Sequence, residues 1–403
     1  MTDTNREYIW IIAGGILQVP LIKKAKEMGY GVIVSDQNPK SPGGLLADQF
    51  IELDTYDVNG HIQIANGMKV KPKAVLTAGA DVGPTVSAVA EQLGLPAERF
   101  DVAVACRNKL EVRRIQRKMG ILRPVFLAIE WDDYSPHGLW KAHCRIAGVD
   151  PYPCVVKPLA SSGSKGISLV KNPFEFTRAV KLAQSYGTRR ANILVEEYLD
   201  REMEVALDFF VEKGEFILAN ASRRIFYSKF GIEAGHINPW NPPDEALELC
   251  WSIGNALGVK FGPFKVDLFK DKRYGWLVLE TATRLSGGFD HMTTGEVIGK
   301  NVTQVMIDVA LGQKVKRRQL KPNNGIYSCA FAPMYRPGRI TGWKYPNEAK
   351  GLVDIIPLSR DQIKPIENCA SRPIFVISTG QSSFDALKNA IRISRKVEPI
   401  YVT

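Results

Sequence analysis

The stretch from Val155 to Val170 constrains this chain most. Val155-Val156-Lys157-Pro158 is an apolar strand closed by a lysine, and Leu159-Ala160-Ser161-Ser162-Gly163-Ser164-Lys165-Gly166 is a small polar loop. Ile167-Ser168-Leu169-Val170 is a second apolar strand. Strand, Gly/Ser loop and strand read as a hairpin. Its glycines and serines let backbone N–H groups turn toward one anionic point. Lys157 and Lys165 add positive charge without blocking the loop. Such a hairpin suits a polyphosphate and points to a bound nucleoside triphosphate.

A chain of 403 residues exceeds what one hydrophobic core organises, so two or three domains are expected. The apolar share of 45% and charged share of 24% are those of a soluble globular protein. No apolar run reaches the roughly 18 residues of a membrane helix. The polar start Met1-Thr2-Asp3-Thr4-Asn5-Arg6-Glu7 is a poor secretory signal, so the chain is expected in the cytoplasm. Six scattered cysteines without a CxxC pair read as buried free thiols, and five unclustered histidines argue against structural zinc. The formal charge of +11 is spread along the chain without a nucleic-acid motif, which favours anionic small substrates or solubility over nucleic acid.

Residues 8 to 100 alternate between strand and helix patterns, predicting an open, mostly parallel sheet with helices on its faces. Sites in such sheets lie beyond the strand C-termini. That places Gly14, Gly15, Gln18, Asp36, Asn38 and Asp81 on one rim, with Gly14, Gln18 and Asp81 as substrate candidates. Gly14-Gly15 is not a complete dinucleotide fingerprint, and Asp36 serves equally as a cap for the turn after it. The basic face of Arg113, Arg114 and Arg117 reads as a solvated helix. Residues 125–200, with a helix over Phe174–Ser185 and a strand over Asn192–Glu197, suit a small mobile lid.

Two acids fall on consecutive apolar strands: Asp267 in Phe264-Lys265-Val266-Asp267-Leu268-Phe269, and Glu280 in Trp276-Leu277-Val278-Leu279-Glu280. The intervening turn makes the two carboxylates neighbours on paired strands. Close carboxylates need a cation, and oxygen ligands beside phosphate suit Mg²⁺; basic side chains or water are the alternative partners. Beyond Glu280, Arg284 is placed to meet a phosphoryl group or a carboxylate, unless it forms a surface salt bridge. Gly287-Gly288 permits close approach of a substrate, and Asp290 or His291 could orient an amine. Phe226–Trp240, with Lys229, Glu233 and His236, reads as a substrate loop, though His236 is equally at home in a core.

In their order, these parts resemble the ATP-grasp superfamily, with a layout like the biotin carboxylase, carbamoyl-phosphate synthase and formate-dependent glycinamide ribonucleotide transformylase branches. The resemblance implies an α/β and α+β architecture. A pre-ATP-grasp N-terminal open parallel sheet would cover 1–105, an ATP-grasp domain 106–318 with its lid in 125–200, and a small C-terminal domain 319–403. It implies ATP with Mg²⁺, or Mn²⁺, as cofactors. Lys109 and Lys157 would contact phosphates beneath the loop Ser161, Ser162, Gly163, Ser164, Lys165 and Gly166. Glu196, Glu197, Tyr198 and Leu199 would hold adenine, and Glu204 the ribose. Asp267 and Glu280 would hold the metal. Lys157, Arg284, Asp290 and His291 would serve catalysis, while His236, Gly287, Gly288, Arg336 and Arg372 would face the substrate, Arg372 in particular a substrate phosphate.

The implied activity is an ATP-dependent carboxylate–amine ligase, such as an amino acid ligase, acting through an acyl phosphate on small carboxylate and amine substrates. No nucleic-acid or membrane partner is expected, and the resemblance implies a homodimer. The alternatives are a carboxylase, carbamoyl-phosphate-type or formate-using transformylase enzyme, and a non-catalytic nucleotide sensor. Two departures from the family pattern stand out. Asparagine usually follows the second metal acid by two residues, where this chain has Ala282. The first metal acid is often Glu, where this chain has Asp267.

Overall fold

The structure is a computed structural model that describes residues 6–121, 123–130, 135–159, 161–186, 193–228, 231–323 and 325–402. The N-terminal unit runs β1 (Tyr8–Ile12), α1 (Val19–Glu27), β2 (Gly31–Asp36), β3 (Gln49–Glu52), α2 (Val58–Gly67), β4 (Ala74–Leu76) and α3 (Gly83–Leu93). Its strands are parallel in the order β3-β2-β1-β4. β1 is buried on both faces, as its continuous apolar run requires. Ile9 and Ile11 pack with Leu21 and Ile22 of α1, while Tyr8, Trp10 and Ile12 pack with Ala65 and Val89 on the opposite face. Asp36 is occupied by the turn: its carboxylate accepts from Gly14 N at 2.7 Å and Asn38 N at 2.9 Å. A Cβ on Gly14 would lie 2.3 Å from Ser41 Oγ, so that glycine serves the packing of the turn.

Two helices lead onward, α4 (Phe100–Arg107) and α5 (Lys109–Lys118). Asn108 caps α5 by accepting from Leu110 N and Glu111 N. The region expected as a lid follows with β5 (Phe126–Ile129), α6 (Pro136–Ala147), β6 (Cys154–Pro158), β7 (Ser168–Val170), α7 (Pro173–Ser185) and β8 (Ile193–Glu197). Its antiparallel sheet has the order β5-β8-β6-β7. The hairpin expected at Val155–Val170 is present, with Cys154 paired to Val170 and Val156 to Ser168. Side-chain alternation then decides function. Cys154, Val156 and Val195 join Trp140 and Phe176 in a core under the helices. Val155, Lys157 and Glu196 are left on the other face.

The body is built from β9 (Arg201–Glu212), β10 (Glu215–Phe226), β11 (Glu233–Asn238), α8 (Asp244–Leu257), β12 (Phe261–Asp271), β13 (Gly275–Ala282), α9 (Asp290–Ile298) and α10 (Val302–Ala310). The chain ends with β14 (Tyr327–Phe331), β15 (Gly338–Lys344), β16 (Leu352–Pro357), β17 (Gln362–Ile363), β18 (Ile374–Gly380), α11 (Ser383–Ser394) and β19 (Glu398–Tyr401). One eight-stranded sheet runs β13-β12-β9-β10-β11-β14-β18-β16, and a three-stranded sheet runs β17-β15-β19. The expected boundary after residue 318 therefore crosses a continuous sheet: the C-terminal strands extend the body as well as forming their own layer. The cysteines are free thiols, five of them buried. Among the described residues no helix is long and apolar enough to cross a membrane.

Candidate active site

Lys157 and Glu196 meet on the inner face of the lid sheet. The Lys157 ammonium pairs with the Glu196 carboxylate, and both side chains are buried. Arg113 completes the cluster from α5, donating from Nε to Glu196 Oε1 at 2.5 Å. Its other nitrogens reach Gln116 Oε1 at 2.8 Å, Val278 O at 2.9 Å and Leu279 O at 3.3 Å. This corrects the reading of α5 as a solvated basic helix: Arg114 and Arg117 are exposed, but Arg113 is fully buried. Position parity on a helix does not reveal which of two adjacent arginines turns inward when acceptors on other elements decide. Burial opposes the Glu196 charge, yet Arg113 and Lys157 hold its pKa down to about 2. Burial and the nearby Arg113 and Lys109 charges push Lys157 down to about 8, although Glu196 counters them.

Lys109 joins this cluster to the phosphate-type loop and to the acid pair. Its Nζ donates to Ser161 O at 2.6 Å and lies 3.5 Å from Glu280 Oε2. The loop turns through positive φ at Gly163, Ser164 and Gly166, with φ of 67°, 61° and 73°. Ser161 Oγ donates to Lys165 O, and Gly163 O accepts from Cys369 N at 3.0 Å. Lys165 is exposed, while Ser162, Gly163 and Ser164 are half-buried.

On the body sheet Asp267 stands directly opposite Glu280, as their spacing predicts. Lys265 lies between them, donating to Asp267 Oδ2 at 2.6 Å and Glu280 Oε1 at 3.0 Å. Despite the cost of burial, Lys265, Lys109 and Arg284 hold Glu280 well below the usual carboxylate range, while burial and the Glu280 charge raise Asp267. Asp267 Oδ1 is buried without a hydrogen-bond partner. Among the described residues no cluster of three or more His, Cys, Asp or Glu side chains forms a metal cage. The unpartnered Asp267 Oδ1 beside Glu280 is an oxygen donor that would suit a hard cation.

The adenine and ribose candidates lie alongside. Glu197 accepts from Val125 N and from Arg273 Nη2 at 3.0 Å. Tyr198 N donates to Pro153 O, and Leu199 is buried against Phe269 and Leu277. Glu204 accepts from Arg201 at 2.7 Å, and burial raises its pKa.

A second buried network borders the acid pair. Arg224 Nη1 lies 2.7 Å from Asp290 Oδ2 and 3.1 Å from Glu233 Oε1, and its Nη2 is 3.9 Å from Asp267 Oδ1. His236 Nε2 lies 3.0 Å from Asp290 Oδ1. Asp208 Oδ1 accepts from both N and Oγ of Ser286, fixing the turn before Gly287 and Gly288. Gly288 has φ of +68°, and a Cβ there would sit 3.7 Å from Glu233 and His236. Burial opposes the Glu233 charge, but Arg224, His236 and Arg372 hold it down to about 2. Burial also pushes His291 down to about 4, leaving a neutral imidazole. Lys229 of the expected substrate loop lies outside the described residues.

Arg284 is buried rather than exposed, with Nε 3.5 Å from Asp81 Oδ1, so the N-terminal rim reaches this site. Gln18 is more remote in role: its Oε1 accepts from Ala78 N. Arg372 is engaged by Cys369 O at 2.8 Å and by Glu233. Arg336, in the segment before β15, stacks over Tyr401 of β19. Sequence reasoning passed over Arg224 and Asp208, and left Lys265 without a role. Alternation offered a signal for Lys265, which lies two residues before Asp267 and so shares its face.

The arrangement joins a Gly/Ser hairpin to the acid pair through Lys109. This chain matches the ATP-grasp domain over residues 150–292. It is 24% identical to the formate-dependent phosphoribosylglycinamide formyltransferase of Thioalkalivibrio sulfidiphilus (strain HL-EbGR7), over 65% of this chain and 66% of that protein. The corresponding protein of Bacillus subtilis (strain 168) is also 24% identical, over 95% of this chain and 96% of its own length. Among solved structures, an L-amino acid ligase from Bacillus licheniformis superposes with TM-score 0.80 at 19% identity, covering 99% of each chain. A phosphoribosylglycinamide synthetase from Anaerococcus prevotii gives 0.75 at 17% identity, covering 99% of this chain and 100% of that one. The chain thus spans just under two thirds of the length of the first of these relatives.

Proposed function

We propose that the chain is an ATP-dependent carboxylate–amine ligase. The observation that carries this reading is Lys109, whose single ammonium contacts both the Gly/Ser loop at Ser161 and the acid pair at Glu280. A triphosphate laid under the loop would have its terminal phosphoryl group beside Asp267 and Glu280. Lys157 and Lys109 would neutralise phosphate charge, and Glu196 through Leu199 would frame the adenine, with Glu204 at the ribose. Asp267 and Glu280 would hold Mg²⁺, which when bound offsets charge on the transferring phosphoryl group.

In this reading a substrate carboxylate oxygen takes the γ-phosphoryl group and ADP leaves. An amine then attacks the acyl carbon, phosphate departs, and the nitrogen gives up a proton as the amide forms. Arg284 and Arg224 would set the charge of the carboxylate side. The Gly287-Gly288 turn, held by Asp208 through Ser286, would let the substrate approach the backbone. Catalysis rests mainly on positioning and charge, and closure of the lid would keep water from the acyl phosphate.

The test is ADP release with Mg²⁺-ATP against pools of amino acids, small carboxylates, bicarbonate and formate, with mass spectrometry of each active mixture. An adduct lighter than its two components by one water supports the ligase. A second reading, a formate-using transformylase, is favoured by the formyltransferases among the sequence relatives. It predicts formyl transfer to phosphoribosylglycinamide. The engagement of Arg372 by Cys369 O and Glu233 weighs against a free phosphate site there. Absence of both nucleotide binding and ADP release would overturn both readings.

A further inference from the structure

The acid pair already contains a cation. Lys265 faces Ala282 across β12 and β13, and Asp267 faces Glu280. Residues opposite each other, and residues two apart, project from the same side of a sheet. All four side chains therefore share one face. Lys265, in register with the small Ala282, reaches both carboxylates, at 2.6 and 3.0 Å. Lys265 is 4% exposed, so its charge is directed at the carboxylates rather than at solvent.

We propose that Lys265 acts as a resident cation of this acid pair, filling the gap between Asp267 and Glu280 so that nucleotide is held with a single divalent ion. The inference rests on the ligase reading. An ammonium and a divalent ion at that spacing repel one another, and two facing carboxylates are partly neutralised by the ammonium before any metal arrives. Lys109, 3.5 Å from Glu280 Oε2, crowds the far side of that acid. The open position is at Asp267 Oδ1, buried and without a hydrogen-bond partner. Arg224 approaches that oxygen only to 3.9 Å. A single divalent ion held by Asp267 Oδ1 would satisfy this oxygen without displacing Lys265.

The test counts Mn²⁺ by electron paramagnetic resonance in the full chain saturated with a non-hydrolysable ATP analogue. Nucleotide binding is measured on the same samples. The expected result is one tightly bound Mn²⁺ per nucleotide in the unaltered protein and in K265R, rising to two in K265M. Two tightly bound ions in the unaltered protein would overturn the inference while leaving the ligase reading intact. A count of one in a folded K265M would also overturn it, because the lysine would not be what excludes the second ion. Failure to bind nucleotide at all would sink the ligase reading and this inference with it. The count in the unaltered protein decides the matter even if K265M does not fold.

Discussion

Replacing Arg113 with methionine separates a structural cation from a solvated one. The substitution keeps an unbranched apolar stem and removes the guanidinium with its charge and donors. Glu196 would then be left buried with Lys157 alone, and Val278 O and Leu279 O would each lose a donor. Breaking a buried ion pair from one side costs about 3–5 kcal/mol. That is a large part of a total stability of roughly 5–15 kcal/mol. With a urea m-value of about 3 kcal/mol/M, the unfolding midpoint falls by about 1–1.7 M. Arg114 is the internal control: it sits on the same helix, its side chain is 64% exposed, and its partner Glu111 is 3.6 Å away. R114M should change stability by no more than about 0.5 kcal/mol. Equilibrium urea unfolding followed by tryptophan fluorescence reads both variants. An R113M loss below about 1 kcal/mol, or equal losses in the two variants, would refute the argument that Arg113 holds the lid acid against the body sheet.

Three further outcomes are expected. K157M should weaken Mg²⁺-ATP binding by about ten- to a hundredfold, the worth of a charged hydrogen bond; calorimetry should also find affinity in the unaltered protein falling as pH rises past about 8, where Lys157 loses its proton. E280Q should lower Mg²⁺-ATP turnover by at least about a hundredfold, far more than its lost ion pairs with Lys265 and Lys109 lower stability, and an active E280Q would remove Glu280 from the metal site. His291 stays neutral in the folded state down to about pH 4, whereas its ordinary pKa is 6.5. The unfolded chain therefore takes up the proton first, and stability is lost as pH falls through that window, by up to about 3 kcal/mol at 1.36 kcal/mol per unit. H291Q should flatten that part of the stability profile, and an unchanged slope would show that the imidazole is not buried as described.

Much of this site is legible from local pattern. The hairpin at Val155–Val170 and the facing acids Asp267 and Glu280 each follow from runs whose period and turn residues lie close together in sequence. Two N-terminal elements were less visible. β3 is four residues long and only half-buried, and α2 carries Gly60 and Gly67, so neither makes a strong periodic signal. The polar networks were the least visible. Arg224 finds Asp290 and Glu233 only after β10, β11 and α9 come together. A charged residue in a strand announces that it needs a partner, but its spacing cannot name a partner brought from a distant element.

The same limitation explains why α5 carries more of the site than its sequence suggests. Lys109 and Arg113 are four residues apart and so lie on one helix face. Lys109 reaches the Gly/Ser loop and Glu280, and Arg113 reaches Glu196, which holds Lys157. A single helical turn therefore touches the loop, the lid lysine through its acid, and the body acid. If the lid sheet moves against the body, these contacts cannot all be kept, because two end on the lid and the others on β13. The cationic face of α5 thus ties the position of the lid to the charge balance around the acid pair. A rise in mobility of the lid should accompany R113M even where the body sheet stays folded, and hydrogen exchange in β6 and β8 against β12 and β13 separates that local loosening from global unfolding.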